Sequence, residues 1–174
     1  MRKVTSFVTV VAVAALAIGM LAARAGSQTK AAGGFDQLKA LTGTWEASTS
    51  EGITLNTIRL VSNNTAVEET FQSKDGNEHT QMVTMYTPDG ERVAMTHYCS
   101  IGNQPHMETS AVSAGQKAFD FSFTGAGNMA DAKGPHMHHM LLEIKDADHF
   151  SETWTMSADG KEQKMTFNFA RTKG

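Results

Sequence analysis

The sequence predicts an all-β protein: an antiparallel up-and-down β-barrel of about ten strands, or a sandwich of the same strands, after a short N-terminal helix. Three observations lead to this fold class. Apolar residues alternate with a period of two in about ten segments between residues 44 and 171. The connectors between them are mostly short and rich in Asn, Asp and Gly, which suits hairpins between antiparallel neighbours. Only one stretch has helical spacing, so a parallel sheet would lack crossover helices.

The elements follow in chain order. Phe35, Leu38 and Leu41 have the spacing of one helical face, and Gly43 ends this helix. The predicted strands are residues 44–48, 53–60, 66–71, 79–86, 91–99, 107–112, 117–123, 137–144, 150–156 and 163–171. Two connectors are longer, residues 100–105 and 125–135. In the first, residues 103–105 suit a turn better than a rim loop that contacts a ligand.

Three apolar stripes are expected to face the interior, because alternate residues of a barrel strand point inward. They are Phe119, Phe121 and Phe123; Met165, Phe167 and Phe169; and Phe150, Glu152, Trp154 and Met156. A barrel of this size has room for side chains and at most one small ligand. The stripes therefore either fill the core completely or leave a small cavity.

The first 25 residues have the composition of a signal peptide. Arg2 and Lys3 precede an apolar run over residues 7–23, and the sequence Ala-Arg-Ala at 23–25 suits cleavage before Gly26. A membrane anchor is the alternative, but the run is short for a membrane span. Residues 26–34 are predicted to form a flexible leader and residues 35–174 the barrel domain. We therefore expect an exported protein, periplasmic or extracellular, without stable membrane insertion after cleavage.

Length, charge and cysteine content exclude several classes of protein. The 149 residues that remain after removal of residues 1–25 suit one domain. Residues 26–174 carry 12 basic and 18 acidic side chains, a net charge of −6, which argues against nucleic acid or an anionic membrane surface as a partner. The single cysteine excludes an internal disulfide and a zinc cluster made of cysteines alone.

Two residues resemble the closing contact of the calycin superfamily, which includes the lipocalin and fatty-acid-binding barrels. Gly43-Thr44-Trp45 lies at the start of the first predicted strand, and Arg171 lies at the end of the last one. In that superfamily the corresponding Trp packs under the Arg and closes the floor of the barrel. The resemblance implies structural roles for Trp45 and Arg171, and a tryptophan face is a favourable partner for a guanidinium group.

From residue 35 to the C-terminus, the chain resembles a family of secreted bacterial lipocalin-like proteins for which no activity is established. The likeness is carried by residues 82–86, 96–99, 102–105 and 134–138. The chain is also distantly similar to nitrobindin-type barrels of ten strands, which bind haem through a histidine near the C-terminus. Here no histidine follows His149, so this chain departs from the nitrobindin pattern at that point.

Two pairs of residues form the predicted site. His97 and Cys99 share one strand face with Met95, and His136 and His138 share another with Met140. If both faces point inward, these six side chains form the polar and adaptable part of a ligand pocket. His97, Cys99, His136 and His138 are also the ligand types that zinc and copper prefer, and a histidine can hold haem. A purely structural role for them remains the third alternative.

No catalytic residue is assigned, since the sequence contains none of the common catalytic motifs, and an enzyme is not favoured. Glu152, among inward-facing apolar residues, is either a base with a raised pKa or, as favoured here, an exposed acid at the rim. The first hypothesis is therefore a barrel that binds a small, largely apolar molecule. The alternatives are a metal- or haem-binding barrel using the same residues, and a structural module or an enzyme on the same barrel.

Overall fold

Ten antiparallel strands form one closed barrel in the computed structural model, which describes residues 33–131 and 133–173. Helix α1 (Phe35–Lys39) precedes the first strand, and a single 3₁₀ turn (Glu78–Thr80) lies between the third and fourth strands. The strands are β1 (Gly43–Thr49), β2 (Gly52–Val61), β3 (Ala66–Ser73), β4 (Met82–Asp89), β5 (Arg92–Tyr98), β6 (Gln104–Glu108), β7 (Ala118–Gly127), β8 (His136–Ile144), β9 (His149–Ala158) and β10 (Lys161–Arg171).

Each strand pairs with its sequence neighbours, and β1 pairs with β10 to close the barrel. The predicted up-and-down barrel with a short helix is confirmed. The predicted turns also take the expected backbone: Asn63, Asn64 and Asp159 have φ values of 55°, 61° and 50°. Asn and Asp tolerate this left-handed conformation better than other residues with side chains, which is why these short connectors suit hairpins.

One end of the barrel is closed by α1 and the residues that follow it. Phe35, Leu38 and Leu41 are buried together with Trp45 in one apolar cluster. The Trp45 indole Nε1 donates a hydrogen bond of 2.8 Å to the Leu41 carbonyl oxygen, which ties the helix to the start of β1. The helix therefore serves as a plug for this end of the barrel.

Arg171 completes the closed end. Its guanidinium carbon lies 4.0 Å from the centre of the Trp45 ring, and Nη1 donates to the Thr42 carbonyl oxygen at 2.9 Å. Trp45 and Arg171 are also register partners on β1 and β10. The contact that the calycin resemblance implies is therefore present at the seam where the two terminal strands meet.

The starts of two strands, β4 and β6, were predicted wrongly. His79 lies in the 3₁₀ turn, so β4 begins three residues later than predicted. Strand β6 begins at Gln104 and not at Met107, so the predicted turn at 103–105 is partly strand. Pro105 pairs with Ala126 of β7 and lies beyond the β5 ladder, which begins at His106. A proline is tolerated there because no donor is needed toward β5.

The predicted signal peptide, residues 1–25, and most of the predicted leader lie outside the described residues. Gly33 and Gly34, at the end of that leader, form a turn in which Gly34 is buried. Among the helices that the structure describes, none has the length and apolar character needed to cross a membrane.

Candidate functional site

A cavity of about 680 Å³ opens at the end of the barrel opposite α1. Its mouth is formed by residues of the β1–β2 turn, the β3–β4 connection and the β5–β6 loop, including Glu51, Asp75 and Ser100. Ile53 and Ile101, two of the large apolar residues most exposed in the described chain, also lie at this mouth. The side chains of the predicted interior stripes therefore do not fill the barrel, and the end opposite α1 is open.

The wall of the cavity is mainly apolar. Its aromatic residues are Phe71, Trp154 and Phe167. Its four methionines come one each from β4, β8, β9 and β10 and are Met82, Met137, Met156 and Met165. In the predicted inward stripe of β10, Phe169 is buried in the core, whereas Met165 and Phe167 line the cavity. Methionine side chains are unbranched and flexible, so this wall can adapt to the shape of a ligand.

A row of polar side chains lies on the inner face across three adjacent strands. Glu69 of β3 is the register partner of Thr84 of β4, and Thr84 is the register partner of His97 of β5. Register partners in a sheet point to the same face, so all three reach the interior. All three are buried and line the cavity, together with Trp154 from the far side of the barrel. We call Glu69, Thr84, His97 and Trp154 the polar floor.

Glu69 is held by hydrogen bonds from two neighbouring strands. The Asn56 amide nitrogen donates to Oε1, and the Tyr86 hydroxyl donates to Oε2 at 2.5 Å. Asn56, Glu69 and Tyr86 are each at most 2% exposed. Both carboxylate oxygens are therefore fixed in position by groups that lie deeper in the barrel than the cavity.

Glu152 of β9 lies beside Glu69 and is completely buried. Its Oε2 accepts a hydrogen bond of 2.9 Å from the Trp154 indole nitrogen, and its Oε1 has no hydrogen-bond partner among the described residues. Burial, followed by the charge of Glu69, raises the pKa of the Glu152 carboxyl well above 4.5. Burial and the same two acids raise the pKa of Tyr86 well above 10.0.

The His97 imidazole is buried between the cavity and Trp154. Nδ1 lies 2.9 Å from the Thr84 hydroxyl oxygen, and the ring centre lies 4.6 Å from that of Trp154. Nε2 has no hydrogen-bond partner in the described part of the chain. Burial lowers the pKa of His97 from 6.5 to about 4, so the ring is neutral at pH 7.

The structure separates the predicted site residues. His97 and Cys99 line the cavity, as the sequence hypothesis requires. Met95 and Met140 are buried in the apolar core and do not line it. His136 and His138 do not line it either, so the two pairs do not meet in this cavity.

A β-bulge explains why His136 and His138 lie elsewhere. In the pairing of β8 with β9, Met137 is opposite Met156 and His139 is opposite Thr155, which leaves His138 as an extra residue. The alternation that places Met140 inside therefore shifts by one position, and Met137 lines the cavity. His136 and His138 contact each other instead, with 3.3 Å between Nε2 and Nδ1, and both rings pack on Phe123.

A metal cluster made from the four predicted ligands is not present. Within residues 33–131 and 133–173, no three His, Cys, Asp or Glu side chains are grouped so that they could bind one ion. Cys99 is a buried free thiol that shares the cavity with His97. His97 and Cys99 are thus the two predicted ligands that an ion or a haem group in the cavity could reach.

Sequence reasoning missed the buried acids. The sequence favours Glu152 as an exposed acid at the rim, and this prediction is wrong because Glu152 has no exposed surface. Asn56, Glu69 and Tyr86 are not singled out by the sequence. Glu69 lies between Val67 and Phe71 on the same strand face, so the period-two pattern could have placed Glu69 inside.

Comparisons with known proteins do not place the chain in a family. A scan against protein-family models finds no match, and no curated protein is significantly similar to the chain. Function must therefore be argued from the cavity and its polar floor.

Proposed function

We propose that this barrel binds a small, largely apolar molecule in the cavity at its open end. The observation that carries the proposal is a space of about 680 Å³ with an apolar wall and a buried polar floor. Ligand pockets commonly enclose roughly 300–1,000 Å³ and combine an apolar lining with a few placed polar groups. The cavity has both properties.

The wall and the mouth support an apolar body for the ligand. Ile53 and Ile101 are 40% and 55% exposed at the entrance, where burial by a ligand would remove apolar surface from water. Deeper in the cavity, the methionines from four strands provide a surface that can repack around the bound molecule.

The polar floor favours a ligand that carries one polar group. Leaving a buried polar atom without a hydrogen bond costs about 1–3 kcal/mol. His97 Nε2 is such an atom, and its residue lines the cavity. A ligand group that reached this nitrogen would recover that cost and would orient the ligand with its polar end toward the floor.

A nuclear magnetic resonance titration with octanol tests the proposal. We expect chemical-shift changes at His97, Cys99 and Met137, which line the cavity, and none at Tyr98, which is 48% exposed. The variant Met137→Trp would fill the cavity and weaken binding, whereas Tyr98→Trp adds the same ring outside it and serves as the control. Absence of saturable shifts, or equal binding by both variants, would refute a ligand-binding cavity.

A second candidate is haem or a metal ion held through His97, favoured by the free Nε2 of a neutral imidazole beside the Cys99 thiol. Adding haem should then give a shifted Soret band that is lost in His97→Ala and kept in His136→Ala, because His136 does not line the cavity. An identical spectrum for both variants would exclude His97 as the ligand.

We further propose that the protein is exported and related to the calycin barrels. The composition of residues 1–25 supports export, and the Trp45–Arg171 contact supports the relationship. Expression of the full chain in a Gram-negative host tests the first point: mass spectrometry of the periplasmic protein should show a chain that begins at Gly26. A retained full-length chain in the cytoplasm would contradict export.

A further inference from the structure

The interior of the barrel holds two carboxyl groups without a basic side chain to balance them. Glu69 and Glu152 are 1% and 0% exposed. None of the lysine and arginine side chains in the described residues is buried, and those that form ion pairs do so at the surface, as Arg59 does with Glu68. A buried carboxylate is costly unless it is paired with a charge of opposite sign or protonated.

Hydrogen bonding at the floor is also unbalanced, with acceptors in excess. Asn56 and Tyr86 donate to Glu69, and Trp154 donates to Glu152. Asn56 Oδ1 and Glu152 Oε1 have no donor among the described residues, and both atoms are buried. Each oxygen of Glu69 can accept a further hydrogen bond, since a carboxylate has about four lone-pair sites. Burial and the charge of Glu69 raise the pKa of Glu152, so Glu152 keeps a proton that it can share with Glu69. The floor still lacks a positive charge to balance Glu69 and a donor for Asn56 Oδ1.

From this imbalance we propose that the ligand of the cavity carries a cationic amine at the end that reaches the floor, with Glu69 as its counter-ion. This inference rests on the proposed ligand-binding function. An ammonium group brings three donors and one positive charge, which are the two things that the floor lacks. Glu69 lines the cavity, so an amine that enters the cavity meets this residue without displacing a strand.

Two aromatic neighbours suit the same head group. Trp154 lines the floor, and the face of a tryptophan ring attracts a cation. His97 is neutral at pH 7, so its ring adds no positive charge that would repel the amine, and Nε2 can accept a hydrogen bond in one of its two tautomers. The residues that line this floor thus include a carboxylate, an indole ring and a ring nitrogen without a hydrogen-bond partner among the described residues.

A fatty acid fits the cavity less well than an amine of equal length. Its carboxylate would approach Glu69 and Glu152 with no lysine or arginine in the described interior to offset the repulsion. A neutral alcohol lies between these two cases, because it donates one hydrogen bond and brings no charge. The cavity should therefore rank the three head groups in the order amine, alcohol, carboxylate.

Calorimetric titration with octylamine, octanol and octanoate at pH 7 tests this order with one chain length. We expect octylamine to bind more tightly than octanol by at least about tenfold, and octanoate to bind most weakly. Octanoate binding as tightly as octylamine would overturn the amine assignment and leave the cavity as a binding site. No binding of any of the three would overturn the ligand-binding function as well.

Glu69→Gln and Glu68→Gln form a matched pair on the same strand. Glu68 pairs with Arg59 on the outer face and does not line the cavity. Glu69→Gln should remove the preference for octylamine over octanol and leave octanol binding within about threefold, whereas Glu68→Gln should keep the wild-type order. An equal loss in both variants would show that octylamine binds to the acidic exterior. If Glu69→Gln does not fold, the order of the three probes on the wild-type protein still decides the proposal.

Discussion

Arg171 packs over Trp45 at the seam of the barrel, with its guanidinium carbon 4.0 Å from the centre of the indole ring. Its Nη1 donates to the Thr42 carbonyl oxygen at 2.9 Å, and its Nε donates to that of Ala147 at 3.1 Å. One side chain thereby joins the last strand to the segment before β1 and to the β8–β9 loop. The contact holds together the two strands that are farthest apart in sequence.

Arg171→Lys should therefore destabilise the protein although the charge is kept. Lysine lacks the planar fork that stacks on Trp45 and bonds two carbonyl groups at once. We expect a loss of about 1–3 kcal/mol in the free energy of unfolding, measured by urea denaturation. Lys173→Arg, at an exposed site, is the control; an unchanged midpoint for Arg171→Lys would show that the seam does not depend on the stack.

Gly43→Ala tests the same seam from β1. Gly43 has a φ of 142°, and a Cβ added there would overlap Nη1 of Arg171. Gly52 has a similar φ of 126°, but a Cβ at that position would meet no atom within 4 Å. Backbone strain is common to both variants, so Gly43→Ala should be less stable than Gly52→Ala by about 1 kcal/mol or more in urea. Equal losses would mean that the arginine simply moves aside.

Tyr86→Phe should cost about 1–3 kcal/mol of unfolding free energy, because Glu69 loses one of its two buried donors. The ring keeps its packing near Phe121, so the loss reports the hydroxyl alone. Tyr98 is the only other tyrosine and is 48% exposed. Tyr98→Phe should leave the urea midpoint unchanged; if both variants behave alike, the bond to Glu69 contributes no stability.

Much of the fold could be predicted from the sequence, because period-two alternation and turn residues act locally. The Asn63-Asn64 turn and the stripe from Phe119 to Phe121 needed only neighbouring residues to be placed. The Trp45–Arg171 contact joins residues far apart in sequence, and it came from the resemblance. The bounds of β6 are predicted wrongly because proline commonly marks a turn, whereas Pro105 lies on the strand where β5 needs no donor.

The site could be predicted only in part, for two physical reasons. The bulge at His138 depends on how β8 pairs with β9, and a single inserted residue reverses which side chains face inward. The burial of Glu69 and Glu152 contradicts the ordinary preference of glutamate for solvent. For that reason the sequence favours an exposed rim position for Glu152, although it belongs to a predicted inward stripe, and does not single out Glu69. The positions of His97 and Cys99 in the cavity could be predicted because β5 pairs with β4 without a bulge, so the period-two alternation holds up to His97.

His97 should make the protein less stable in acid. The pKa of His97 is about 4 in the folded protein, compared with its ordinary value of 6.5. Between these two pH values the unfolded chain therefore binds a proton that the folded protein does not bind. Stability is therefore full above pH 6.5 and falls as the pH drops toward about 4, by about 3 kcal/mol in all. His97→Gln should flatten this slope in urea melts taken across the range. His79→Gln, at an exposed position, should keep it, and identical slopes for wild type and His97→Gln would contradict the prediction.

Glu152 should have the opposite effect at higher pH. Its pKa lies well above 4.5 in the folded protein, so above pH 4.5 the unfolded chain releases a proton that the folded state retains. This group therefore lowers stability as the pH rises from 4.5 toward its folded pKa. Glutamine cannot ionise and its side-chain oxygen can still accept the Trp154 hydrogen bond, so Glu152→Gln should gain stability relative to wild type as the pH rises from 5 to 8. Glu143→Gln, exposed on β8, is the matched control, and urea curves in which all three proteins stay parallel would show that Glu152 ionises without cost inside the barrel.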